Sequence, residues 1–228
     1  MTDEKLVPLE RVAKFIRQLT HDVRNGLSAI DLETAFIAEI ATDEEVLAEL
    51  RKVREMVSDT AKMLRHISQN FQPVTVHPIP WAAVTVIEEL RKRLKAEFPE
   101  EAQGTEVESQ FEAETVEIDI EQTLGAVLAV LRNAFQFRKE GGAVWVVGGM
   151  HGPQASIEVH VTKVELENEP PQAEWGLEPL RSTRSGSYGL GLFRARQIAE
   201  AQGGKLEIIY EDGELLTRIT LPGEGLDG

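Results

Sequence analysis

The chain has 228 residues, 42% of them hydrophobic, with a formal net charge of −15 at pH 7 and no cysteine. This apolar share suits a packed core rather than a disordered chain, and the length allows two small domains. The negative charge argues against a nucleic-acid binder, which carries basic patches, and the missing cysteine excludes disulfides, thiol catalysis and cysteine metal sites.

The opening MTDEKLVPLE lacks the basic flank and apolar run of a secretory signal. No window reaches the apolar length that spans a bilayer. A cytoplasmic protein without a membrane span is therefore expected. Acidity is uneven: residues 1–72 carry 13 acidic and 10 basic side chains, so −12 of the charge falls on the remainder.

Val12, Ile16, Leu19, Val23, Leu27, Ile30, Ile37 and Ile40 recur at spacings of three, four or seven, which predicts one apolar stripe on a helix over about residues 8–41. Thr42-Asp43-Glu44-Glu45 then reads as a capping box with Thr42 as N-cap. A second stripe, Val46, Leu50, Val53, Val57, Thr60, Leu64, Ile67 and Phe71, keeps a seven-residue repeat. So short a turn makes the two helices antiparallel. One hairpin leaves apolar surface wet, so a homodimer through this hairpin, a four-helix bundle, is expected; an intramolecular partner from the C-terminal region is the competing solution.

Gln72 to Pro80, with three prolines, reads as a linker. Beyond it the pattern is mixed: a helix at about 81–97, strands near 105–112 and 114–118, a helix at about 120–138, strands at 143–149 and 155–163, and a polar loop over 164–187. A helix at about 189–202 ends at Gly203-Gly204, and a strand hairpin turns at Asp212-Gly213. The expected fold class is α+β, with domains at 1–72 and 73–228.

His21 lies off the apolar stripe, because residues two apart on a helix point about 200° from each other. Asn25, one turn on, shares its face. Asp22 is placed to accept the imidazole Nδ1–H, leaving Nε2 as a nucleophile, and Arg24 adds a positive charge for a phosphate or an acidic partner. A lone surface histidine is ordinarily just a solvated side chain. His66, His77, His151 and His160 have no comparable setting, and no pair has metal-ligand spacing.

The run His21-Asp22-Val23-Arg24-Asn25-Gly26-Leu27 resembles the phospho-acceptor box of two-component histidine kinases, departing at Gly26, where that family usually has proline. The resemblance implies that His21 accepts the phosphoryl group, that Asp22 is its acid–base partner, and that Asn25 orients water when such proteins act as phosphatases. It continues downstream. Val116 to Asp119, followed by Leu124 to Ala134, is similar to the strand and helix that carry the family's metal-binding asparagine, here Asn133; a second asparagine of that helix is replaced by Ala129. Gly186-Ser187-Tyr188-Gly189-Leu190-Gly191-Leu192 is similar to the second glycine box, in which backbone amides at a helix start cradle phosphate. Trp175 to Leu180 resembles the loop segment before it.

The first glycine box, Asp-x-Gly-x-Gly in the family, is the largest departure. The chain has Val164-Glu165-Leu166-Glu167-Asn168-Glu169-Pro170-Pro171, with Glu167 standing for the adenine-binding aspartate and neither glycine kept.

What the resemblance implies is a helical hairpin followed by a GHKL-type α/β sandwich, with helices on one face of a mixed sheet. Its cofactors would be ATP and Mg²⁺, held by Asn133, Glu167, Gly186, Gly189 and Gly191. The γ-phosphoryl would pass to His21 and on to an aspartate of a response-regulator receiver domain, with the input signal arriving through a separate sensor protein. The alternative is an ATP-independent phosphotransferase or response-regulator phosphatase of the same architecture, which the missing first box and Ala129 favour; Asn133 and the glycine turn favour the kinase. A scaffold with vestigial motifs is the third reading.

Overall fold

A computed structural model describes residues 8–152, 154–164, 175–177 and 189–222. The chain divides into two compact units, Met1–Pro73 and Val74–Gly228.

The first unit is a hairpin of α1 (Leu9–Ile40) and α2 (Glu44–Asn70). Arg54 Nε donates to Asp31 Oδ1 at 2.9 Å and Arg17 Nη1 to the Phe71 carbonyl at 3.1 Å, fixing an antiparallel register. The N-cap of α2 is Asp43 rather than Thr42: its carboxylate accepts from the amides of Glu45 at 2.8 Å and Val46 at 3.4 Å. A carboxylate at this position also meets the positive end of the helix dipole, which a hydroxyl cannot do as well.

The apolar stripe divides differently from the sequence pattern. The most deeply buried positions of α1 are the small residues Ala13, Thr20 and Thr34, with Leu27 half-buried in the same seven-residue series. Leu19, Ile30 and Ile37 remain 45%, 47% and 41% exposed within one chain. Small side chains let α1 and α2 approach closely, and the larger apolar residues form a second, adjacent stripe. So broad an apolar arc is wider than one neighbouring helix covers.

The second unit opens with β1 (Ile79–Ala82), α3 (Ala83–Glu97) and a short 3₁₀ turn. It continues through β2 (Thr105–Ser109), β3 (Thr115–Ile118), α4 (Ile120–Phe137), β4 (Val144–His151) and β5 (Gln154–Val161). It closes with α5 (Gly191–Ala201), β6 (Lys205–Glu211) and β7 (Glu214–Leu221). The main sheet has the order β2-β4-β5-β7-β6, with β2 parallel to β4 and the other pairs antiparallel. The segment read as a linker ends in β1, which pairs antiparallel with β3, Ile79 opposite Ile118, so α3 begins two residues later than expected.

One face of the sheet carries Val144, Val146, Ile157, Val159, Val161 and Ile219, all buried against the helices. Ile87, Leu90 and Leu94 of α3, Leu124, Val127 and Leu131 of α4, and Ala195 and Ile198 of α5 complete this core. Each fully buried aliphatic side chain contributes about 1.5–3 kcal/mol. This is a two-layer α/β sandwich. At the β6–β7 turn Asp212 and Gly213 take φ of 51° and 80°, the positive pair that a two-residue hairpin of this twist requires.

Candidate functional site

His21 sits mid-way along α1 with its side chain 67% exposed. Its Nδ1 lies 3.1 Å from Asp22 Oδ1, the distance at which an Nδ1–H donates to a carboxylate. Among the described residues no bond reaches Nε2, which is left open on the exposed ring. Asn25 Nδ2 approaches the same Nδ1 at 3.4 Å. Arg24 is exposed on the neighbouring side of the helix.

Gln18 was not singled out from the sequence, although its i, i+4 spacing to Asp22 is the signal that would have found it. Its Nε2 donates to both Asp22 oxygens, at 2.9 and 3.1 Å. The His21 hydrogen bond, with help from Gln18, holds the Asp22 carboxyl below its ordinary value. Gly26, where the resemblance expects proline, leaves α1 unbroken from Leu9 to Ile40.

In the second unit α4 and α5 run antiparallel. At one end Gln202, which closes α5, accepts from the Asp119 amide at 2.6 Å, and its Nε2 donates to Thr123 Oγ1 at 3.1 Å. At the other end Gly191, the first residue of α5, faces Ala129: a Cβ built there would sit 3.8 Å from the Ala129 carbonyl oxygen. The sandwich thus brings the start of α5 beside the second half of α4, where Asn133 stands half-buried one turn past Ala129. Gly189 has φ of 61°, a left-handed backbone that a side chain would strain. Leu190 at the N-cap offers no side-chain hydrogen bond, and the first amides of a helix have no partner within the helix itself. Arg194, half-buried in the next turn, adds positive charge, and burial pushes its guanidinium down. Glu167 and Gly186 lie outside the described residues.

These groups fit a polyphosphate carrying a hard cation. The start of α5 supplies amide donors and the Asn133 amide an oxygen. Among the described residues no group of three or more His, Asp or Glu side chains forms a metal cluster. Mg²⁺ carried by a polyphosphate keeps several waters and takes few protein ligands, so a single amide oxygen is a sufficient share for the protein.

The remaining histidines belong elsewhere. His160 stacks on Trp145 at 4.8 Å and bonds Glu158 at 3.1 Å, while His77 and His151 are exposed; the His66 side chain is not among those described. An open depression of about 290 Å³ lies near this stack, lined by Ile209, Glu211, Asp212, Glu214 and Leu216. It is on the sheet face turned away from α4 and α5. No helix among the described residues is long and apolar enough to cross a membrane.

A helical hairpin bearing an acid-paired histidine, followed by a two-layer sandwich with a glycine-flanked helix start, defines the class of protein. No family profile matches the chain. The sensor histidine kinase YclK of Bacillus subtilis is 23% identical over 223 residues, covering 90% of this chain and 45% of YclK. Full-length ShkA in complex with AMPPNP has the same fold, with a TM-score of 0.68, 16% identity and coverage of 92% of this chain and 46% of ShkA. The mycobacterial sensor histidine kinase MprB is 28% identical with a TM-score of 0.51, over 65% of this chain and all of that one. In sequence and in fold the chain is therefore similar to the catalytic cores of sensor histidine kinases. It spans less than half the length of the curated relatives it matches.

Proposed function

We propose that this core is a protein-histidine kinase of a two-component system, taking the γ-phosphoryl group of ATP onto His21 and passing it to an aspartate of a response-regulator receiver domain. The observation that carries the reading is the exposed His21 ring, with Nδ1 against Asp22 and Nε2 open to solvent. The Nε2 lone pair attacks the γ-phosphorus. The bond to the bridging oxygen breaks, and the departing ADP oxygen keeps the electron pair. Positive charge that develops on the ring is stabilised through Nδ1–H by the Asp22 carboxylate. When a receiver carboxylate then attacks the phosphorus, the N–P bond breaks and Nε2 recovers its pair.

The amides of Gly191 and its neighbours would hold phosphate oxygens, and the Asn133 oxygen would face Mg²⁺, which neutralises triphosphate charge when bound. Arg24 and Asn25 share the exposed surface that a receiver domain would meet. The exposed second stripe of α1 supports a homodimer through the hairpin. ATP as donor would place the reaction in the cytoplasm. The relatives are sensor kinases, which gives no support to the ATP-independent alternative.

Incubation with radiolabelled ATP tests the reading: label is expected that is lost in acid, stable in base, and absent from His21→Gln. No Mg-ATP binding at millimolar concentration, or label persisting in His21→Gln, would overturn it.

A further inference from the structure

We propose that Gln18 is a positioning residue that sets which nitrogen of His21 carries the proton, by fixing the Asp22 carboxylate against Nδ1. The inference rests on the phospho-acceptor reading of His21 and extends it to a residue outside the matched box.

Two side chains make opposite demands on one atom. The ionised Asp22 carboxylate only accepts, so its 3.1 Å contact requires hydrogen on Nδ1 and leaves the lone pair on Nε2. The Asn25 Nδ2–H group only donates, so its 3.4 Å contact requires the lone pair on Nδ1 and puts the hydrogen on Nε2. An imidazole protonated at Nε2 has no nucleophilic pair there. The two tautomers therefore divide His21 into a reactive and an unreactive form, and Asp22 and Asn25 pull in opposite directions.

Gln18 decides the contest. Asp22 is 59% exposed, and by itself would turn freely into water. From one turn earlier, the Gln18 amide donates to both carboxylate oxygens, at 2.9 and 3.1 Å, and so fixes the rotation of the carboxylate. Oδ1, which accepts the shorter of these two bonds, is the oxygen that faces Nδ1. The Asp22 contact, shorter and charge-assisted, then outcompetes that of Asn25. All four residues lie on one stretch of α1 spaced by one, three or four, so the arrangement depends on no distant packing.

The test is long-range ¹H–¹⁵N NMR of the imidazoles in the full chain at about pH 9, where imidazoles are neutral, with the His21 signals assigned by His21→Gln. The Nδ1–H form is expected to dominate in the unaltered protein. Gln18→Ala should shift the ratio about twofold towards Nε2–H, the size an i, i+4 side-chain pair supports. Asn25→Ala should shift it the other way, and Gln18→Lys, which keeps a donor within reach of Asp22, should restore it. Alanine is the better helix former, so a merely structural role for Gln18 would leave the tautomers unmoved.

In the labelling assay Gln18→Ala should lower the rate at saturating ATP by up to about twofold, in proportion to the fall in the Nδ1–H fraction, with KM unchanged. An unmoved tautomer ratio in Gln18→Ala overturns the inference even if His21 takes label normally. A shifted ratio in a protein that never takes label upholds the positioning role and sinks the phospho-acceptor reading instead.

Discussion

At the scale of single residues, chemistry is set by immediate neighbours. Asp22 shows the consequence for pH. Its carboxyl lies below the ordinary 3.8 because His21 and Gln18 hydrogen-bond the charged form. A depressed folded pKa favours the folded arrangement fully above the unfolded value, and the benefit is lost as pH falls through the folded one. The Asp22 pair with His21 therefore persists across neutral pH and opens only in acid. A ¹³C titration of the Asp22 side chain should give a midpoint under 3.8, and a midpoint at or above that value contradicts the clamp. Asn133→Ala should weaken Mg-ATP binding roughly ten- to a hundredfold, read by calorimetric titration; unchanged affinity would remove Asn133 from the site. His21, Asp22, Arg24 and Asn25 could be proposed together from the sequence because they fall within two turns of one helix. Gln18 was equally local and was passed over because it lies upstream of the familiar box.

Among the elements, periodicity foretold most helices and strands to within a few residues, since amphipathic pattern reflects which face meets a core. Two features needed partners distant in sequence. The strand Ile79–Ala82 has too little pattern to declare itself, and exists because Thr115–Ile118 offers it an edge. The α4–α5 pair is joined by Gln202, whose buried side chain serves Asp119 and Thr123 some eighty positions away. Gln202→Ala leaves those groups without a partner in a dry site and should destabilise the sandwich by about 1–3 kcal/mol, measured by urea unfolding. A loss within error of zero would mean that water replaces the side chain.

For the molecule as a whole, the broad apolar arc of α1 is the feature a single chain leaves unfinished. Leu19, Val23, Ile30 and Ile37 lie on the hairpin's outer stripe, with Val46 and Val53 exposed on α2. Light scattering should give about twice the protomer mass of 25.3 kDa, and Ile30→Asp with Ile37→Asp should return the protein to one protomer. A monomer at micromolar concentration in the unaltered chain would refute the bundle.

What the sequence determined by itself was local: the helical periods, and with them the shared face of His21 and Asn25 and the place of Asn133 on α4. Each depends on residues a few positions apart, where backbone geometry alone fixes who faces whom. Only the tertiary structure decided which apolar stripe of α1 closes the hairpin, that Ile79–Ala82 is a strand, and that the start of α5 rests beside Ala129. Those outcomes depend on packing between segments far apart in the chain, where small differences in side-chain volume, and not pattern, select the partner.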